Sequence, residues 1–374
     1  MVQGEFVLKD TIVYYGGFSL PDKNAAANRV VSNGKIFKAL GYNVIFLGAD
    51  YDNGNYAGVK SLGDGMMCEA HPSGVIDWVK QILLFKNLKK VIEKASAVKL
   101  VILYNVPFVT LCLAKGFFKK DGIEVAYDCT EWTQFTDGSF VKKIFKYIDE
   151  FFIRKFAHRI ADKMIVVSET MLKAYKCKKK IIKLPPLIDL SDDIWHQPIE
   201  KEEGGFTFCF AGFPDGNKDY IGTVVEAFSL LKCNNVNLKI VGITKDKFLE
   251  MYKNISIGEN IDFFGKLTHS EAVKQILLSD CYVFIRPSDR RNNAGFPTKF
   301  VESYSCGVKI ITTDVSDVRM YAEAECDIIP CNDVNELRVA MTNAISSTVR
   351  REQILLRDTF DYKNYIDETQ RWLN

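Results

Sequence analysis

The residues best placed to do chemistry lie in the C-terminal third of the chain. There it reads Phe284-Ile285-Arg286-Pro287, then Asn292-Asn293-Ala294-Gly295-Phe296-Pro297-Thr298-Lys299-Phe300-Val301-Glu302, then Gly307-Val308-Lys309-Ile310-Ile311-Thr312-Thr313. The order is an apolar strand, a Gly/Pro loop, a helix start and a second apolar strand. A loop feeding a helix exposes unpaired backbone N–H groups, here across Gly295–Thr298, together with the positive end of the helix dipole. An anion such as a diphosphate binds at a junction of that kind. Glu302 falls a turn or so into the helix, on a face that reaches such a ligand. The plainer reading of Glu302 is an exposed helix carboxylate paired with a lysine.

Near the N-terminus, Gly16-Gly17 closes an apolar strand and lets backbone approach a phosphate, or simply makes a tight turn. The four histidines, His71, His158, His196 and His269, stand apart from any constellation and receive no catalytic role. Ten cysteines are scattered singly, without a C-x-x-C pair, so neither a zinc site nor a redox motif is expected.

The elements that must position these residues alternate. In the first half, strands are expected at Thr11–Tyr15, Val44–Leu47, Leu100–Tyr104, Ile123–Tyr127 and Met164–Val167. Helices are expected over Ala25–Leu40, Ile76–Lys94, Val109–Lys119 and Val141–Arg159. The second half repeats the design, with strands at Phe206–Phe210, Leu238–Val241, Ile261–Phe264, Cys281–Ile285 and Val308–Thr312 and a short one near Cys326–Ile329. Short apolar runs alternating with amphipathic stretches make βαβ units and parallel sheets. The fold class is therefore α/β, with two tandem Rossmann-like domains facing a central cleft. Leu184-Pro185-Pro186 and the acidic stretch up to Gly204-Gly205 mark a linker. The expected division is an N-terminal domain over 1–185, a linker over 186–204, a second domain over 205–350, and C-terminal helices over 351–374 that pack back on the first domain.

Composition narrows the classes. At 374 residues the chain exceeds the roughly 250–300 at which single cores stop growing. Its 47% hydrophobic and 26% charged content are those of an ordinary globular protein. A net charge of +2 argues against a nucleic-acid partner recruited by bulk electrostatics. No uncharged apolar run of about 18 residues appears, and the first residues do not read as a signal peptide, so a cytoplasmic chain is expected.

These residues resemble glycosyltransferases of the two-Rossmann (GT-B) fold, in particular the retaining family 4 enzymes that build capsule, exopolysaccharide or O-antigen chains. The resemblance covers nearly the whole chain, and Gly295-Phe296-Pro297-Thr298-Lys299-Phe300-x-Glu302 is its most specific part. It implies transfer of a sugar, with retention, from a nucleotide-diphosphate donor to a saccharide or undecaprenyl-linked acceptor in bacterial surface polysaccharide biosynthesis. It implies that Glu302 hydrogen-bonds the donor ribose, a task suited to a carboxylate, which accepts from two vicinal hydroxyls at once. In Cys209-Phe210-Ala211-Gly212-Phe213-Pro214-Asp215-Gly216-Asn217-Lys218, Gly212 and Lys218 fit the family's second diphosphate-binding element. Gly16, Gly17, Arg286, Arg290, Asn293, Gly295, Phe296, Pro297, Thr298 and Lys299 complete the expected donor site, and Arg290 with Arg291 reads equally well as a solvated pair.

Catalysis is then expected from groups that stabilise charge on the departing diphosphate, with Lys218 and Glu302 foremost. The resemblance implies that the leaving phosphate itself helps to deprotonate the incoming hydroxyl, so that no enzymic nucleophile, metal or cofactor is expected. After the strand Ile123–Tyr127, Asp128 and Glu131 are expected to position the acceptor, Asp128 also reading as a helix cap; Trp132, Asn28 and Arg29 are further acceptor candidates. Three departures stand out: Ala294 replaces the family's other Glu, Phe213 replaces an Arg, and the usual His at the Asp128 strand end is absent. They keep open an inactive homologue that binds or scaffolds. A nucleotide-sugar 2-epimerase shares the fold but needs cleft histidines, and an NAD enzyme would need G-x-G-x-x-G.

One helix suggests a further partner. Val141, Ile144, Phe145, Ile148, Phe151, Phe152 and Phe156 recur at helical spacing among Lys142, Lys143, Lys146, Arg154, Lys155 and Arg159. With Phe118-Lys119-Lys120 and the cluster Lys176, Lys178, Lys179, Lys180 and Lys183, the stripe suits peripheral contact with anionic lipid at the inner membrane face. The competing reading is a core face with a solvated back.

Overall fold

A computed structural model describes residues 10–20, 24–50, 60–63, 66–72, 85–95, 97–132, 140–175, 180–198, 205–212, 219–322, 326–330, 332–347 and 355–374. The chain divides into two units: one runs up to Ile188 and takes in Tyr362–Asn374, and the other is Asp189–Asp361.

The first unit is built on a sheet in the order β3-β4-β2-β1-β5-β6-β7-β8. Its strands are β1 (Thr11–Gly16), β2 (Asn43–Asp50), β3 (Lys60–Gly63), β4 (Met66–Pro72), β5 (Val98–Tyr104), β6 (Glu124–Cys129), β7 (Lys163–Val166) and β8 (Ile181–Lys183). All neighbours are parallel except β3 with β4. Every residue of β1 is buried, the signature of a strand covered on both faces. Helices α1 (Ala25–Ala39), α2 (Lys86–Lys94), α3 (Phe108–Phe118), α4 (Phe140–Ile160) and α5 (Glu169–Ala174) connect the strands. The Asn24 side chain starts α1 by accepting from the Ala27 amide at 2.9 Å. At the end of β1, a Cβ added to Gly16 would stand 2.6 Å from the Tyr104 carbonyl oxygen, so the β1–β5 approach requires a glycine.

The second unit has a parallel sheet in the order β11-β10-β9-β12-β13-β14. It comprises β9 (Phe206–Ala211), α6 (Ile221–Ser229), β10 (Val236–Val241), α7 (Lys245–Met251), β11 (Ile261–Gly265), α8 (His269–Leu277), β12 (Cys281–Phe284), α9 (Arg290–Ala294), α10 (Thr298–Ser305), β13 (Lys309–Thr313), α11 (Val318–Tyr321), β14 (Cys326–Ile329) and α12 (Val334–Ser347). Phe208, Phe210, Leu238, Ile240, Val283 and Ile311 from the strands meet Val224, Leu337 and Met341 from the helices in one core. The last helix, α13 (Ile366–Leu373), belongs to the first unit: Trp372 and Leu373 join its core, and the Trp372 indole donates to the Lys180 carbonyl at 3.1 Å.

The sequence reading missed β3, β4, β8 and α5. Lys60–Gly63, at the sheet edge, and Met66–Pro72, beside it, mix polar, small and thioether residues without a period. Of the helix expected over Ile76–Lys94, the part from Lys86 is observed, and residues 73–84 lie outside the described residues. The stripe on α4 is also resolved. Ile144, Phe145, Ile148, Phe151 and Phe152 are exposed, whereas Glu150 and Ala157 are buried, so this stripe is not the core face. Lys176, Lys178 and Lys179 lie outside the described residues. No described helix is long and apolar enough to cross a membrane.

Candidate functional site

In doubly wound sheets, ligands bind beyond the C-terminal strand ends, where the strand order reverses. In the second unit that point lies between β9 and β12. The two strands pair only at Cys281↔Phe208 and Tyr282↔Cys209, and then part. The Tyr282 hydroxyl spans the opening, donating to the Ala211 carbonyl at 2.7 Å and accepting from the Ala211 amide at 3.3 Å. Burial first, then the nearby Cys209 and Glu302, push this hydroxyl well above its ordinary range, so it remains a donor.

Glu302 lies in α10, next to this opening. Its side chain is 7% exposed, with the Lys299 ammonium 2.6 Å from Oε2 and His269 Nε2 3.3 Å from Oε1. Burial alone would raise its pKa; Lys299 and the hydrogen bond from His269 outweigh that and hold it at about 2. The carboxylate is therefore ionised at neutral pH. A carboxylate offers about four lone-pair directions, so with two taken it still accepts from a diol. His269 comes to this site because Thr268 and Glu271 form a capping box that starts α8 at the end of β11. The reading of His269 as isolated is thus corrected. The signal was present in Thr268-His269-Ser270-Glu271, a capping box at a strand end.

α10 begins at Pro297 with no side-chain cap. The Pro297 carbonyl takes the amides of Phe300 and Val301, which leaves the amides of Thr298 and Lys299 at the helix opening. Other expected donor contacts are committed elsewhere. The Gly295 amide donates to the Arg291 carbonyl at 2.9 Å, and the Gly295 carbonyl accepts from the Ser316 hydroxyl. Asn293 donates to Ser288 Oγ at 3.1 Å and accepts from the Ser316 amide at 3.1 Å, so it ties the loop together. The Phe296 ring packs against Phe300, Tyr321 and Phe360 rather than facing a ligand. Lys299 is the partner of Glu302 rather than an independent anion contact. Ala294 is fully buried.

Arg286 stands at the end of β12. Its amide donates to Thr313 Oγ1 at 3.0 Å and its carbonyl accepts from the same hydroxyl at 2.7 Å. Its Nε lies 2.5 Å from Asp219 Oδ1, so part of its charge is already matched. Asp219 ends the segment 213–218, which carries Phe213 and Lys218 and lies outside the described residues. Arg286 thus pairs with Asp219, the first described residue after β9 and Gly212, and Asp219 is a further residue missed in the sequence. Gly212, half-buried at the end of β9, has Asp219 Oδ2 3.6 Å from where its Cβ would be. Arg290 opens α9 and is exposed.

The first unit places its candidates differently. Asp128 is fully buried: Oδ2 accepts from the Tyr14 hydroxyl at 2.7 Å and Oδ1 from Arg29 at 2.9 Å. Arg29 also donates to the carbonyls of Leu184, at 2.9 Å, and Pro185, at 3.1 Å. Burial works against the Arg29 charge, and Asp128 more than offsets it. This pair, with Asn33 donating to Tyr14 at 3.0 Å, is an internal network, which corrects the reading of Asp128 and Arg29 as acceptor contacts. Trp132 is likewise buried, with the Arg154 guanidinium 4.7 Å from its ring centre. Glu131 and Gly17 are exposed and Asn28 is half-buried. Gly16 is held by its approach to Tyr104.

The geometry of the second unit agrees with its sequence: residues 191–355 match the family model described as glycosyl transferases group 1. The second unit carries a glycosyltransferase group 1 domain. No curated protein matches the chain. Among solved structures, the sucrose-phosphate synthase of Thermosynechococcus elongatus superposes with a TM-score of 0.67 at 14% identity, over 98% of this chain and 95% of that one. Anabaena HepE in complex with UDP and glucose gives a TM-score of 0.66 at 12% identity, over 96% and 98%. The lipopolysaccharide outer core galactosyltransferase WaaB gives 0.60 at 12% identity, over 96% and 99%. The fold is GT-B, with the group 1 domain as its second Rossmann-like unit.

Proposed function

We propose that this protein is a glycosyltransferase that moves a sugar, with retention, from a nucleotide-diphosphate donor to a saccharide or lipid-linked saccharide in bacterial surface polysaccharide biosynthesis, acting at the cytoplasmic face of the membrane. The observation that carries the proposal is Glu302, buried, ionised and held by Lys299 and His269 beside the parting of β9 and β12 in a group 1 domain. In this reading Glu302 accepts from the donor ribose. The uncapped amides of Thr298 and Lys299, with Lys218 and the Arg286 guanidinium, take the diphosphate. Charge grows on the diphosphate as the sugar leaves, and these donors stabilise it without a metal ion. Exposed Glu131 orients the acceptor. The HepE structures with UDP and glucose and with UDP-glucose, and the galactosyltransferase WaaB, support the donor class and the saccharide acceptor.

The buried Ala294 favours a second reading, an inactive homologue that binds a nucleotide sugar without turning it over. The test is to incubate the protein with UDP-, GDP- and dTDP-sugars and follow nucleoside diphosphate release with and without bacterial lipid extract. Acceptor-dependent release is expected. Binding with no release from any donor in the presence of extract establishes the second reading instead.

A further inference from the structure

We infer that the paired outer faces of α3 and α4 form a docking surface for an anionic lipid bilayer. On α4, Ile144, Phe145, Ile148, Phe151 and Phe152 are all exposed, Phe145 to 70%. At about 100° per residue these positions occupy one arc of roughly 120°, opposite the buried Glu150 and Ala157. α3 continues the surface with Val109, Leu113 and Phe117, exposed at successive intervals of four. The two helices are joined by stacked rings of Phe108 and Phe152, 5.4 Å apart. A soluble monomer rarely leaves so continuous an apolar patch in water.

Charge selects the occupant. Lys155 and Arg159 fall on the apolar arc of α4 and are both exposed. The Lys89 ammonium lies 4.2 Å above the Phe117 ring, and Lys119 and Lys120 are exposed at the end of α3. The acids of the described part of α4 are turned inward: Asp149 accepts the Phe108 amide at 2.7 Å, and Glu150 is 5% exposed. α3 has no acid. A symmetric contact with a second copy would set this basic surface against itself. An anionic bilayer takes both features at once, with apolar side chains entering the acyl boundary and the lysine and arginine heads remaining among the phosphates.

α3 follows directly from β5, and α4 runs back towards β7, so both helices begin at the C-terminal edge of the sheet. That is the ligand-binding edge of such sheets. Docking therefore brings this edge to the lipid surface; that a lipid-linked acceptor is met there rests on the proposed function, whereas the docking itself does not.

The test is pelleting of the full chain with vesicles of phosphatidylcholine alone or with phosphatidylglycerol added, for wild type, the double variant Phe145→Ser, Ile148→Ser and the double variant Lys155→Glu, Arg159→Glu. All four positions are on the outside of α4, and circular dichroism checks that the variants fold. Wild type should prefer the anionic vesicles by about tenfold or more, lose that preference in high salt, and lose it in both variants. No preference in wild type, or variants that pellet like wild type, would overturn the inference. So would a concentration-dependent dimer, broken by Phe145→Ser, Ile148→Ser, in a protein that ignores vesicles. No nucleotide sugar enters the assay, so its outcome is separate from that of the transferase assay.

Discussion

Glu302 is a carboxylate kept ionised well below the ordinary carboxylate range. Its pKa of about 2 lies below the ordinary 4.5, so its interactions with Lys299 and His269 stabilise the fold fully above pH 4.5 and are lost as the pH falls towards 2. The difference corresponds to about 3 kcal/mol for this buried group. Urea unfolding followed from pH 7 to pH 3 should show less acid sensitivity in Glu302→Gln than in wild type. Turnover should fall at least about tenfold in Glu302→Ala, with the fold intact, as the diol loses its acceptor. Asp128 is the contrasting case, a carboxylate spent on structure. Arg29→Met would strand its charge beside Tyr14 in the core and should cost about 3–5 kcal/mol in urea unfolding, the known effect of breaking a buried pair. Nothing local in Asp128-Cys129-Thr130-Glu131 tells the buried acid from the exposed one. The partners of Asp128, Tyr14 and Arg29, are about a hundred residues away in the chain, and only the fold brings them together.

At the scale of elements, the Tyr282 hydroxyl spans the opening between β9 and β12. Tyr282→Phe would leave the Ala211 amide and carbonyl unsatisfied where the strands part. A loss of about 1–3 kcal/mol in urea unfolding is expected, with weaker nucleotide binding by calorimetry as the crevice closes or frays. The strands that frame the opening were legible because Phe208, Phe210, Val283 and Ile285 form short apolar runs bounded by Gly and Pro. The loop after β12 was legible as a junction but not in its internal wiring. Asn293, Phe296 and Gly295 have the residue types of a ligand loop, yet Ser316 and Phe360, from later in the chain, draw them inward. The α4 stripe was legible as amphipathic, but periodicity cannot say which side faces water. That required the burial of Glu150 and Ala157 on the opposite side.

For the whole molecule, alternation of short apolar strands with helices sufficed to read two Rossmann-like units, since each unit repeats a pattern that sequence carries directly. The return of α13 to the first unit depends on Trp372 finding Lys180, a contact between distant residues. The GT-B fold is shared with solved enzymes at 9–14% identity, so it identifies the architecture while the chemistry rests on the residues around Glu302. The most direct measurement is a calorimetric cycle using the nucleoside diphosphate of the donor found in the release assay and its 2′-deoxy and 3′-deoxy ribose analogues. The account predicts that wild type binds the analogues about tenfold more weakly than the parent, and that Glu302→Ala binds parent and analogues alike. An equal loss for the analogues in wild type and Glu302→Ala would show that the ribose is held elsewhere and would contradict the account.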